Sequence, residues 1–215
     1  HRDLHSFPTR RSSDLSVETD RLIDDALLAC ADFVGCENHR EIVFGQNMTS
    51  LTIQLASALS RTWNPGDEVV VTRLDHDSNV RPWILAAEWS GATLRRVDID
   101  PYDCTHNLSS LEDSINENTV VVAVGAASNL SGTINDVSGI VEKAHAVGAE
   151  VFVDAVHYAP HCLINVEEMG CDYLACSSYK FFGTHQGILW VARKGSPSYR
   201  WPNSGSPPRR SHSDG

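Results

Sequence analysis

EVFVDAVHYAPHCLINVEEMGCDYLACSSYKFFGTHQGILWVA, residues 150–192, is the stretch that decides the fold. Val151, Phe152 and Val153 form a short apolar run that ends in Asp154. Tyr173, Leu174, Ala175 and Cys176 form a second, closed by Ser177, Ser178, Tyr179 and Lys180. Short apolar runs bounded by turn residues read as buried strands. The stretch therefore reads as strand, loop, short helix, strand, loop, strand. Ligands in open α/β sheets bind outside the carboxyl ends of strands, so an acid and an amine at neighbouring strand ends can share one crevice. A lysine held there among aromatic and small residues is a candidate Schiff-base former.

Working outward, the same alternation runs back through the chain. Strands are predicted at 41–45, 68–72, 93–99 and 119–124, the last rich in the β-branched residues of a parallel sheet covered on both faces. Helical stripes fall at 17–34, from Asn47 or Thr49 onward, and at 79–90, 108–115 and 137–147, where Gly148 supplies a C-cap. Strand–helix alternation predicts an α/β three-layer sandwich around a mostly parallel sheet of the seven-stranded type, here expected to be incomplete.

Asp154 and Lys180 taken singly are ordinary loop residues. Their ordered set, with Ser177 before the lysine and Phe181-Phe182-Gly183 after it, fits one cofactor. Pyridoxal 5'-phosphate needs an amine for its aldehyde and an acid to keep its ring nitrogen protonated. Lys180 is the candidate amine and Asp154 the acid, and His157 can hydrogen-bond the ring's phenolic oxygen. A strand entering the helix near Asn47, Met48 and Thr49 offers backbone N–H groups to a phosphate. Other chemistries fit less well. In Asp75-His76-Asp77 adjacent strand-end side chains point apart, so no metal site is assigned. His157 and His161 lack a glutamate after the first histidine, and Pro160 breaks any helix. No GxGxxG follows the first strand.

DAVHYAPH followed by CDYLACSSYKFFG resembles the class V aminotransferase family of fold-type-I pyridoxal phosphate enzymes, nearest its cysteine desulfurase-like branch. Motifs in the expected order carry the resemblance over residues 16–193. The resemblance implies catalytic roles for Lys180, His76 and Asp154, with His76 flat on the pyridine ring. It implies cofactor contacts from Asn47, Met48, Thr49, Asn129, His157, Ser177 and Tyr179. Met48 stands where desulfurases usually carry a hydroxyl, Tyr179 where many carry histidine, and Thr184 where proline is usual. The implied reaction is cysteine desulfuration. Aminotransferase, lyase or epimerase chemistry shares the same machinery, and a fragment that only binds cofactor is the remaining reading. The resemblance also implies a small-molecule amino-acid substrate and a homodimeric full-length parent. Its substrate-carboxylate arginine and sulfur-accepting cysteine follow the lysine, beyond the matching part of this chain.

Composition agrees with a globular enzyme. Of 215 residues 41% are hydrophobic, and the formal charge of −11 argues against a nucleic-acid surface. No apolar run approaches the ~18 residues of a membrane span, which with the charge predicts a cytoplasmic protein. The six cysteines show no CxxC or secreted-scaffold spacing and are expected to be free thiols, with none assignable as a nucleophile. Residues 1–15 lack periodicity and read as a non-native or disordered extension. Residues 16–194 read as a partial cofactor-binding large domain. The Ser/Pro/Gly/Arg-rich residues 195–215 read as a disordered or aberrant tail.

Overall fold

The computed structural model describes residues 9–193, with side chains from residue 15 onward. Its strands are β1 (Ile42–Gly45), β2 (Glu68–Thr72), β3 (Thr93–Val97), β4 (Thr119–Gly125), β5 (Glu150–Asp154), β6 (Tyr173–Ser177) and β7 (Gly187–Val191). They form one seven-stranded sheet in the order β1-β7-β6-β5-β4-β2-β3. The pairs from β3 to β6 are parallel, and β7 runs antiparallel to both β6 and β1. The expectation of an incomplete sheet is therefore corrected. The short EIVFG run, able to pair on one side only, closes the far edge by lying against β7.

Alternation along the inner strands sorts side chains into two cores. Val69, Val71, Val121 and Ala123 face one way, towards α2 (Met48–Leu59) and α3 (Arg81–Ser90). Val70, Val122 and Val124 face the other, towards α1 (Thr9–Val34), α4 (Leu108–Ser114) and α5 (Val137–Ala146). A one-turn helix, α6 (Val166–Met169), joins β5 to β6. Trp83 packs on Phe152 across the first interface, with ring centroids 5.2 Å apart. Each layer can be read from its caps. Asn47, Asn107, Asp136 and Asn165 accept from first-turn amides, as short polar side chains do at helix starts.

Two boundaries differ from expectation. Helix α1 begins at Thr9 and not at residue 17, so residues 9–15 continue the helix. The segment TRRSSDL contains no Gly or Pro to stop it, although it lacks an apolar stripe. Strand β3 stops at Val97; beyond it Ile99 makes only an isolated antiparallel bridge to His106, on the way to α4. The expected tail at 195–215 lies outside the described residues.

Because β1 and β4–β6 run the same way, their carboxyl ends share one rim, where β7 begins. There Gly45, Gly187 and Ser177 stand side by side on adjacent strands. A Cβ on Gly187 would lie 2.5 Å from the backbone carbon of Asn47, so the start of α2 packs on β7 backbone to backbone. Gly187→Ala is expected to cost about 1–3 kcal/mol. Urea denaturation will read the loss, and amide exchange should show it concentrated in the first turn of α2.

Candidate active site

The rim holds a cavity of about 90 Å³ bounded by the start of α2, the loop after β2, the end of β5 and the turn after β6. Met48, Thr49, His76, Asp154, His157, Ser177, Tyr179 and Lys180 all line it, together with Ser78 and Val156. Eight of the ten residues singled out from sequence thus meet in one place, drawn from segments 132 positions apart (180 − 48).

Each is positioned locally. Ser177, 1% exposed at the end of β6, accepts a hydrogen bond from the Met48 N–H at 2.9 Å, which ties β6 to the helix start. The Asn47 side chain is occupied in a capping box with Ser50 and is not among the lining groups. Met48 is buried and offers only its main chain to the site, whereas Thr49 is exposed. The Met48 and Ser50 N–H groups are taken by Ser177 and Asn47, so it is the helix dipole at this start, beside the Ser177 hydroxyl, that favours an anion.

The Nδ1 of His76 accepts from the Ser78 N–H at 3.1 Å and lies 2.7 Å from Ser78 Oγ. An Nδ1 that accepts a backbone N–H bears no hydrogen in the neutral ring, which leaves the proton on Nε2. Asp154 is 7% exposed; its Oδ1 accepts from Val156 N–H at 2.9 Å. Burial pushes its carboxyl up to about 6, and the Val156 bond opposes that only in part. Burial first, then the charges of Lys180, His76 and His161, hold the His157 imidazole below its usual pKa. Lys180 is exposed, on a one-turn 3₁₀ helix (Ser178–Phe181), and its Nζ lies 5.8 Å from the Tyr179 ring centre. The turn is held from both sides: Phe33 of α1 stacks on Phe181 at 4.7 Å, and Tyr179 stacks on His185 at 4.5 Å.

Asn129 does not join them. It is exposed on the loop after β4 and outside the cavity lining, because that loop folds on itself through Ser128 and Gly132. Asn135 is the loop's anchor instead, donating to the Gly125 carbonyl at 2.7 Å. One acid was missed as part of the site. Asp75, weighed only as a metal ligand, turns under the end of β4 and accepts from Gly125 N–H at 2.6 Å. The signal was available: like Asp154, it follows a buried strand. A broader, open depression of about 640 Å³ lies beside β3, but its Arg73–Asp98 and Arg95–Glu68 pairs satisfy one another away from these groups.

Chemically, the rim offers an amine, a buried acid, two imidazoles, a hydroxyl and a helix N-terminus. That donor set fits a ligand carrying an aldehyde, a basic ring nitrogen and a phosphate. No helix among the described residues is long and apolar enough to cross a membrane.

The aminotransferase class-V family model matches residues 1–206, and the chain belongs to that family. A probable cysteine desulfurase of Halalkalibacterium halodurans is 38% identical over 74% of this chain and 39% of its own length. An aminotransferase-like protein of Gibberella zeae is 34% identical over 83% of the chain and 44% of its own. The solved structure of a cysteine desulfurase from Thermococcus onnurineus superposes with a TM-score of 0.74 at 31% identity, covering 79% of this chain and 42% of that one. The chain spans less than half the length of each of these three relatives.

Asp154 makes a pH-dependent prediction. A carboxyl whose folded pKa exceeds its ordinary 3.8 binds its proton better in the native state, so native stability falls as pH rises from there through about 6. Asp154→Asn removes the ionising group. Without any ligand the variant should match the parent near pH 4 and exceed it by about 2–3 kcal/mol above pH 6. Denaturant midpoints at the two pH values will check this.

Proposed function

We propose that this chain is the cofactor-binding portion of a pyridoxal-phosphate-dependent enzyme whose full-length form removes sulfur from cysteine. The carrying observation is the convergence of Lys180, Asp154, His157 and His76 with the start of α2 around one cavity. The desulfurase relatives support the choice of reaction.

Lys180 would hold the cofactor through its aldehyde, the first turn of α2 with Ser177 would hold its phosphate, and Asp154 would face its ring nitrogen. When bound, pyridoxal phosphate supplies an electron sink for charge developing at the substrate's α-carbon. Asp154 tunes that sink: as an anion in a desolvated place it favours a proton on the ring nitrogen. His157, with a depressed pKa, is neutral at pH 7 and can share a hydrogen bond with the ring oxygen. His76, its Nδ1 held by Ser78, lines the cavity and would stack on the cofactor ring. Lys180 Nζ would also be the group placed to hold or move the proton at the substrate's α-carbon.

The buried thiols do not suit a sulfur-accepting role. Burial pushes Cys36 up to about 11 and Cys176 up to about 12 and raises Cys171 as well, so all three are neutral thiols. By the family resemblance, the acceptor cysteine and the substrate-carboxylate arginine would follow Lys180, beyond the matching part of this chain. On the outer face of α1, Leu22, Ile23 and Leu28 are 65%, 49% and 51% exposed, an apolar surface that a partner would cover. A homodimer of the parent fits that face.

The test is twofold. Borohydride reduction of the 215-residue chain loaded with pyridoxal phosphate, followed by peptide mapping, should place the pyridoxyl group on Lys180; a label on Lys143 or Lys194 would sink the assignment. The full-length parent should release alanine and sulfur from cysteine in multiple turnovers, and the chain alone should not. Keto-acid formation without sulfur release would instead assign aminotransfer.

A further inference from the structure

Ser78 lines the same cavity, and the chemistry proposed above gives its hydroxyl no task. It sits in the 3₁₀ turn Asp77–Asn79, which His76 caps. Two of its groups meet one nitrogen: Oγ lies 2.7 Å from His76 Nδ1, and the N–H donates to that same atom at 3.1 Å. The turn behind them is pinned. Asn79 N–H donates to the His76 carbonyl at 2.8 Å. The fully buried Asn79 side chain donates to Asp75 Oδ2 at 3.3 Å and accepts from Trp83 Nε1 at 3.2 Å. Asp75 is fastened in turn to the Gly125 N–H at 2.6 Å. The backbone that aims both Ser78 donors therefore rests on the end of β4 and on α3.

We propose that Ser78 is a positioning residue for His76, whose hydroxyl and N–H together hold the imidazole in one plane and one tautomer, with Nε2 as its only N–H. A bare imidazole nitrogen offers a single lone pair in the ring plane, and the bond it accepts decides where the ring hydrogen goes. A hydrogen on Nδ1 would suit Oγ but would meet the Ser78 N–H head-on. Turning the ring over would put Cδ2 in place of Nδ1 and lose both bonds. The ring with Nδ1 bare uses both donors at once. Oγ makes the shorter contact, and it is the part that a substitution removes. Among the described residues both hydrogen bonds of Nδ1 come from Ser78. A ring held this way loses little further freedom when a flat ligand lies on it. That the ligand is a pyridine ring rests on the proposed function; the tautomer and the plane do not.

¹⁵N NMR of the histidine-labelled 215-residue chain, without cofactor, decides it. The pH is set at about 8.5, well above the ordinary imidazole value of about 6.5, so that rings are neutral. Bare and hydrogen-bearing ring nitrogens resonate far apart, and His76→Gln assigns the signal. The wild type should show Nδ1 bare and the hydrogen on Nε2. Ser78→Ala should raise the share of the Nδ1–H form about threefold, as expected for the loss of one ordinary hydrogen bond. Ser78→Thr, which keeps the hydroxyl, should restore the wild-type share. Ser78→Gly also lacks the hydroxyl and repeats the test should Ser78→Ala fail to fold. A wild-type ring with Nε2 bare, or an unchanged share in the variants without a hydroxyl, would overturn the proposal. Binding of pyridoxal phosphate is the second readout. Ser78→Ala should bind it about threefold more weakly than wild type, and Ser78→Thr should match wild type. The tautomer shift in a chain that takes up no pyridoxal phosphate would uphold the role of Ser78 while removing the function proposed above.

Discussion

The contact between the backbone of Gly187 and that of Asn47 is the constraint on which the site depends. Strand β7 runs against the rest of the sheet, so its first residue arrives at the rim where its neighbours end. With no side chain at Gly187, the start of α2 settles onto that strand, within reach of Ser177. Two anion-binding features are thereby set beside each other: a helix N-terminus and a buried hydroxyl. Gln186, next in the chain, donates to the Gly45 carbonyl at 2.7 Å and fixes the other flank. At the helix start the contact runs through the main chain of Met48, so the site does not depend on a hydroxyl at that position.

Electrostatics then set the character of the cup. A sheet whose inner strands are covered on both faces leaves its strand-end acids poorly hydrated, and both Asp75 and Asp154 pay in raised pKa. The cost is the same property that makes a charge there effective, since a desolvated anion acts strongly on a nearby ring. The helix start, by contrast, is open to solvent at Thr49, and Lys180 is exposed. The acid side of the cup is buried, and the amine side faces outward.

Much of this was legible in the sequence, for physical reasons. The strands β4, β5 and β6 are short apolar runs with hard stops, and their order fixed the rim that carries Asp154, Ser177 and Lys180. Asn107 and Gly148 marked helix ends by side-chain chemistry alone. The misreadings concern information that pattern does not hold. Helix α1 extends over a polar segment with no apolar stripe to announce it, so periodicity alone placed its start too late. Asn129 sits on a loop whose path is set by hydrogen bonds within the loop itself, through Ser128, Gly132 and Asn135. Asp75 was passed over because a metal was asked of it, when the relevant partner was an amide on another strand.

One contact carries a mechanical consequence. Helix α1 has 26 residues, about 39 Å of stiff rod, and it ends at Val34, beside the ring that stacks on Phe181. Phe181 immediately follows Lys180 in a turn too tight to absorb movement, since Gly183 has no space for a Cβ against Ser178. The carboxyl end of the helix thus carries the lysine's turn: whatever fixes the direction of α1 also fixes where Phe181, and with it Lys180, can sit.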